Sequence, residues 1–337
     1  MAAKQSFTDA MNKKYGAGSI VKLSDRAAGF SAENVISSGS IALDVALGIG
    51  GYPMGRMIEI IGNPSSGKTT LALHAIAEAH ARGMKALYID TEHALDPSYA
   101  ISIGVDLDAL FLSQPDFGEQ ALQIASEGIT SGEFQIVVID SVAALTPKRE
   151  LDGEIGDAQI GLQARMMSQG CRIIAAQAHV HNVLVVFINQ YRANISTVGY
   201  GGETKIASGG KALDYYASVI IDVARIQRLK SNDDIFGVRT KATIKKNKVA
   251  APYREAEFDI TFGIGIDQIG EVIDYADEFG FISKSGSWFK IVETGESIQG
   301  KQRVIVRLAQ DTELYSSIRT KVLNRIHNAQ EQKEEAE

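Results

Sequence analysis

The nine residues from Gly62 to Thr70, GNPSSGKTT, decide the reading of this chain. They separate an apolar run, RMIEII (56–61), from an alternating stretch, LALHAIAEAHA (71–81). A turn that only reversed the chain would not need two glycines, two serines and a proline followed by Lys68, Thr69 and Thr70. The spacing of Gly62, Gly67, Lys68 and Thr69 is G-x-x-x-x-G-K-[ST], here in the strand-then-helix context that this pattern requires. Backbone amides of Asn63, Ser65, Ser66 and Gly67 can wrap a polyphosphate, helped by the positive end of the helix that begins near Lys68. Pro64 has no N–H, so one donor of the cradle is displaced. Lys68 then reaches the outer phosphates, and the Thr69 hydroxyl takes a Mg²⁺ site. The ligand this implies is a nucleoside triphosphate.

The rest of the chain bounds what holds that loop. It has 337 residues, 45% hydrophobic and 22% charged, with a net charge of -7. Such a balance excludes a protein that coats nucleic acid by bulk positive charge, so any such contact must be local. The single cysteine, Cys171, excludes an intrachain disulfide framework and fits a cytoplasmic setting. No apolar stretch approaches the ~20 residues that span a bilayer, so no membrane partner is expected. The runs RMIEIIG, KALYID, LFLSQ, FQIVVID and VLVVFINQ read as parallel strands covered on both faces. Helical patterns lie between them. One is DFGEQALQIASEGITSG (116–132), where Asp116 and Glu119 suggest a capping box. This alternation predicts an α/β fold with a mostly parallel central sheet and ligands beyond its C-terminal strand ends. After Ser208 the pattern turns β-rich, as expected of antiparallel additions to the sheet.

Four units follow: an N-terminal helical segment (1–30), the core (31–266), a small α/β unit (267–328) and an acidic, disordered tail (329–337). The small unit should hold a helix near 268, a strand pair around Trp288 as part of its core, and one long helix from about Gln302 to His327.

Two strand ends supply carboxylates. Asp140 closes FQIVVID, where it can anchor Mg²⁺ through water or merely cap a turn. Glu92, just past ALYID, can orient a water against the terminal phosphate, but by position alone it reads more often as a solvated cap. Lys246 and Lys248 in KKNK read by themselves as a solvated basic strand end. Two glycine-rich stretches, 150–166 and 191–210, read as mobile surface loops or as phosphate-gripping loops.

The segments GNPSSGKTT, YIDTEHALDP, SQPDFGEQAL, VVIDSVAALTPK, GEIGD, ARMMSQ, FINQYR and KNKVAAP occur in the order found in bacterial RecA recombinases, which the chain resembles over nearly its whole length. That resemblance implies a RecA-type P-loop ATPase core with an N-terminal polymerisation helix. It assigns Glu92 as catalytic glutamate, Asp96 and Tyr99 to the adenine ring, and Gln190 as sensor of the terminal phosphate. Lys246 and Lys248 would reach the neighbouring subunit's nucleotide. Ile160, Arg165, Arg192, Ile195, Tyr200 and Lys205 fall in the two loops expected to face DNA. ATP, Mg²⁺, single-stranded DNA, homologous duplex, further copies of the chain in a helical filament and a LexA-type repressor are the implied partners, in recombination, repair and the SOS response. Two departures stand out: Asn63 before Pro64, and Tyr191 where the family is usually aliphatic. A hexameric helicase and a non-hydrolysing regulatory filament are the alternatives.

Overall fold

The computed structural model describes residues 6–22, 32–154, 161–194, 204–231 and 234–334. One sheet organises the core. Its strands run in the order Gly265–Ile266, Glu255–Thr261, Asp234–Asn247, Val219–Ser231, Met57–Gly62, Leu184–Asn194, Ile136–Asp140, Ala86–Asp90 and Leu110–Ser113. From Val219–Ser231 to Leu110–Ser113 all neighbours are parallel, and the remaining three strands are antiparallel additions.

The continuous apolar runs are explained by what covers them. Side chains alternate across a strand, and here the two parities enter two separate cores. Ile58, Ile60, Tyr88, Ile136, Val138, Val186 and Ile188 pack with Leu71, Leu73 and Ile76 of the helix Lys68–His80. Met57, Leu87, Ile89, Val137, Ile139, Val185 and Phe187 pack on the opposite face. There they meet the helices Gly118–Ser131 and Leu162–His181 through Ala121, Leu122, Met167, Cys171 and Ile174. Cys171 is buried, and burial pushes its thiol up to about 12.

Several local expectations need correction. Asp116 and Glu119 form no capping box: the helix starts at Gly118, the Asp116 N–H donates to Gln120, and Glu119 accepts from the Lys148 N–H. The stretch 150–166 is not a continuous loop. It is bounded by the helix Lys148–Leu151 and by Gly161, whose left-handed backbone (φ 77°) opens the helix Leu162–His181. Likewise, the second loop stands on a hairpin base, Tyr191–Asn194 pairing antiparallel with Thr204–Ala207.

The small unit contains the helix Gln268–Glu278 and a three-stranded sheet, Ile282–Ser285, Trp288–Ile291 and Ser297–Gln299. Phe289 and Ile291 are its inward residues; strand alternation leaves Trp288 51% exposed, not in the core. Its terminal helix is broken in two, Lys301–Gln310 and Thr312–Glu334, because Asp311 caps the second piece by accepting from the Leu314 N–H. That second helix also runs past residue 329, into the stretch read as a disordered tail; the Ala, Gln, Glu and Lys there are strong helix formers that propagate it without an apolar face.

The unit is joined to the core by a buried carboxylate. Glu271 accepts from the Ser40 hydroxyl at 2.7 Å and the Ile41 N–H at 3.0 Å, so it serves the first turn of the core helix Ile41–Leu47 from across the seam. Burial raises Glu271 to about 8 against the lowering effect of these bonds.

Candidate functional site

The sheet register aligns the chemistry along one edge. Gly62 lies opposite Gln190, Asp140 opposite Ile188 and Asp90 opposite Asp140, so three strands finish side by side along the strand Leu184–Asn194, which runs on past them. Over that edge sits the loop, with Ser65 in left-handed backbone (φ 57°). Gly62 has to be glycine: a Cβ there would meet the Val223 carbonyl oxygen at 2.2 Å and the Ser66 hydroxyl at 2.7 Å. Gly67, at φ 98°, precedes the helix Lys68–His80 without any side-chain cap, which leaves the first amides of that helix to an anion.

Inside the loop, Lys68 is 6% exposed, and its ammonium donates to the Asn63 carbonyl at 2.8 Å. Burial lowers its pKa, while Asp140 and Glu92 pull it back up. The Ser66 hydroxyl is buried and has no protein partner. Thr69 donates to Asp140 Oδ2 at 2.9 Å, and Tyr88 donates to the same oxygen at 2.6 Å. Burial raises the Asp140 carboxyl, and these two bonds work against that rise. A buried orphan hydroxyl, an uncapped helix start, an enclosed ammonium and a hydroxyl–carboxylate pair together fit a Mg²⁺–nucleotide. Among the described residues no cluster of three His, Cys, Asp or Glu side chains could hold a metal by itself.

Two further groups of predicted residues are brought to the loop. Glu92 Oε1 accepts from Gln190 Nε2 at 2.7 Å and from the Ser141 hydroxyl. Asp96 caps the helix Pro97–Ile103, and Tyr99 shares a 2.9 Å hydrogen bond with Thr70. Asp96 and Tyr99 line a cleft of about 530 Å³ beside Gly67 and Thr70, closed on the other side by Val238, Ile260 and Phe262.

Other predicted residues are not joined to this centre within the chain. The Lys246 and Lys248 ammonium groups both donate to the Tyr215 carbonyl, at 3.3 and 3.4 Å, and Lys246 also to that of Asp214. Arg192 donates to the Ala143 carbonyl at 3.1 Å and lines a polar cleft with Gln163, Ala164 and Gly210. Arg165, one turn into its helix, lines a different groove with Glu119 and Gln169. Ile160, Ile195 and Tyr200 lie outside the described residues, as does the Lys205 side chain; the Lys205 backbone pairs with Ala193.

Sequence reasoning missed Tyr88, Ser141 and Asn189. Tyr88 was detectable as the residue two before Asp90 on the same strand face. Asn189 was not: it is buried and donates to Glu59 at 2.7 Å and to the Ser208 carbonyl at 3.1 Å, a pairing set by tertiary contacts. Burial raises Glu59 to about 7.

A central parallel sheet, a phosphate loop at the end of its middle strand and carboxylates on the adjoining strand ends define a P-loop NTPase fold of the RecA type. The RecA N-terminal domain model matches residues 3–267 and the RecA C-terminal domain model residues 270–327. Protein RecA of Nitratidesulfovibrio vulgaris (strain DP4) is 48% identical over 324 residues, 96% of this chain and 90% of that protein. Protein RecA of Corynebacterium efficiens is 50% identical over 321 residues, 94% of this chain and 81% of that protein. A crystal structure of the RadB recombinase, 23% identical, covers 68% of this chain and 98% of its own at a TM-score of 0.52, a likeness of fold. This chain belongs to the RecA family. No helix among the described residues is long and apolar enough to cross a membrane.

Proposed function

We propose that this protein is a DNA-dependent ATPase that assembles into a filament on single-stranded DNA and exchanges strands with a homologous duplex. The observation that carries the reading is the 2.7 Å bond from Gln190 to Glu92. It ties a carboxylate beside the phosphate loop to the residue from which the second loop departs.

In this reading Lys68 and the helix-start amides bind the phosphates, and Asp96 and Tyr99 border the cleft that receives the base. Thr69, with Asp140 through water, would hold Mg²⁺, which supplies charge neutralisation on the phosphates. Glu92 orients the attacking water, steadied by Ser141 and Gln190. Loss of the terminal phosphate removes a contact available to Gln190, so the second loop's grip on DNA follows the nucleotide state. Lys246 and Lys248 serve the nucleotide of the adjoining copy, as a cation supplied in trans stabilises charge on a transferring phosphoryl group. Arg192, Arg165 and Lys205, with Ile160, Ile195 and Tyr200, belong to the strand-gripping loops. The helix Phe7–Tyr15 supports assembly: none of its residues is buried in its own chain, and Phe7 and Tyr15 are 70% and 66% exposed.

ATP turnover with and without single-stranded DNA tests this, alongside strand exchange between a labelled oligonucleotide and homologous duplex in ATP and in ADP. The expected result is DNA-stimulated turnover that falls about 10²–10⁴-fold in Glu92→Gln, and exchange in ATP alone. Turnover indifferent to DNA would overturn the proposal.

A further inference from the structure

Beneath the phosphate loop, on the sheet face opposite to Gln190, three polar side chains strap three strands together. Lys245 is an unpaired extra residue: Ile244 lies opposite Ile221 and Lys246 opposite Ile220, so the register skips it. A bulge of this kind bends its strand and re-aims the side chain it carries. Here Lys245 Nζ lies 2.6 Å from Asp222 Oδ2 and donates to the Tyr191 hydroxyl at 2.8 Å. The ammonium is also 5.2 Å from the centre of the Tyr191 ring. Partial burial disfavours the Lys245 charge, but the bonds to Asp222 and Tyr191 outweigh it and raise its pKa.

The position of the strap matters more than its strength. Tyr191 and Asp222 sit on the two strands that flank Met57–Gly62, and Asp222 is in register with Ile61. Tyr191 packs on the small cluster of Ile61, Ala217 and Ile220. Its chain neighbour Gln190 holds Glu92, and the chain neighbour of Lys245 is Lys246. Lys246 and Lys248 rest on backbone carbonyls of Asp214 and Tyr215, neutral acceptors that a modest shift of the strand end would exchange.

We infer that Tyr191, Lys245 and Asp222 are positioning residues that transmit movement at the base of the second loop to Lys246 and Lys248. DNA held by one copy would thereby tighten the nucleotide held by the next. This rests on the roles proposed above for Gln190 and the two lysines.

The test is a double-mutant cycle on linkage, not on turnover. Affinity for a slowly hydrolysed ATP analogue is measured with and without oligothymidylate, and the ratio of the two is the coupling factor. Lys245→Met and Tyr191→Phe should each lower that factor at least fivefold. The double variant should lower it no further, and Lys245→Arg should retain it. Tyr191→Phe removes one hydroxyl only, so it keeps the test decisive if Lys245→Met does not fold. A parental coupling factor in both single variants overturns the inference, as does a double variant whose loss is the product of the singles. Absence of coupling in the parent chain sinks the proposed function itself, a result distinct from either.

Discussion

The phosphate loop with Lys68 and the basic strand end with Lys246 and Lys248 both present ammonium groups beyond the sheet, yet they are finished to different degrees. Around the loop, Thr69 and Tyr88 bond to Asp140, Ser141 and Gln190 bond to Glu92, and Lys68 is held inside the loop by the Asn63 carbonyl; Lys68, Tyr88, Asp140 and Ser141 are buried. At the strand end, Lys246 is half-buried, Lys248 is exposed, and both lean on carbonyls rather than carboxylates. Folding one chain completes the first set. Lys246 and Lys248 are held in place by neutral carbonyls, as suits groups that act on something outside their own chain.

The largest effect that would break this contrast comes from mixing two inactive chains. Glu92→Gln and Lys246→Ala should each lose DNA-stimulated turnover about 10²-fold or more. Mixed in equal amounts before filament assembly, they should recover roughly a quarter of parental turnover, because head-to-tail assembly then pairs an intact half with an intact half at about one interface in four. No recovery in the mixture means that both halves act within one chain.

A smaller effect sharpens the comparison at the seam, where another ionisable group is satisfied across units. Glu271 is raised from 4.5 to about 8 in the folded chain, so the folded state holds a proton that the unfolded chain releases. Its contribution to stability is present below pH about 4.5 and is lost as pH rises through about 8. Glu271→Gln should therefore flatten the fall in melting temperature between pH 5 and 8.5, by a few degrees. Parallel melting curves against pH would contradict this.

The smallest effect lies inside the finished site. Tyr88→Phe removes one of two bonds that counter the burial of Asp140. It should cost about 1–3 kcal/mol of stability. Because that bond lowers the Asp140 pKa, its loss moves the acid limb of the turnover profile to higher pH. An unmoved limb would separate Asp140 from the rate-determining chemistry.

How far the sequence alone reaches follows from the range of the forces involved. The phosphate loop, the strands and the carboxylate that closes FQIVVID are local patterns, legible from spacing and hydropathy, whereas the role given to Glu92 rested on the family resemblance. Parity within the strands was hidden, because strands covered on both faces read as unbroken apolar runs. Asn189 on Glu59 and Glu271 on Ser40 join residues 130 and 231 positions apart, and no local pattern encodes them. Trp288 misled because aromatic residues usually pack, whereas here alternation from Phe289 and Ile291 decided its side. Asp311 broke a helix that periodicity alone would have run straight through.

Gln190 and Tyr191 are consecutive residues of one strand, so a single peptide link carries the chain from the upper layer to the lower. No side-chain relay has to thread the sheet: the backbone itself is the conduit, and its length is fixed. An extra residue inserted between them would point both side chains the same way and cut the upper layer off from the lower, with every contact partner still present.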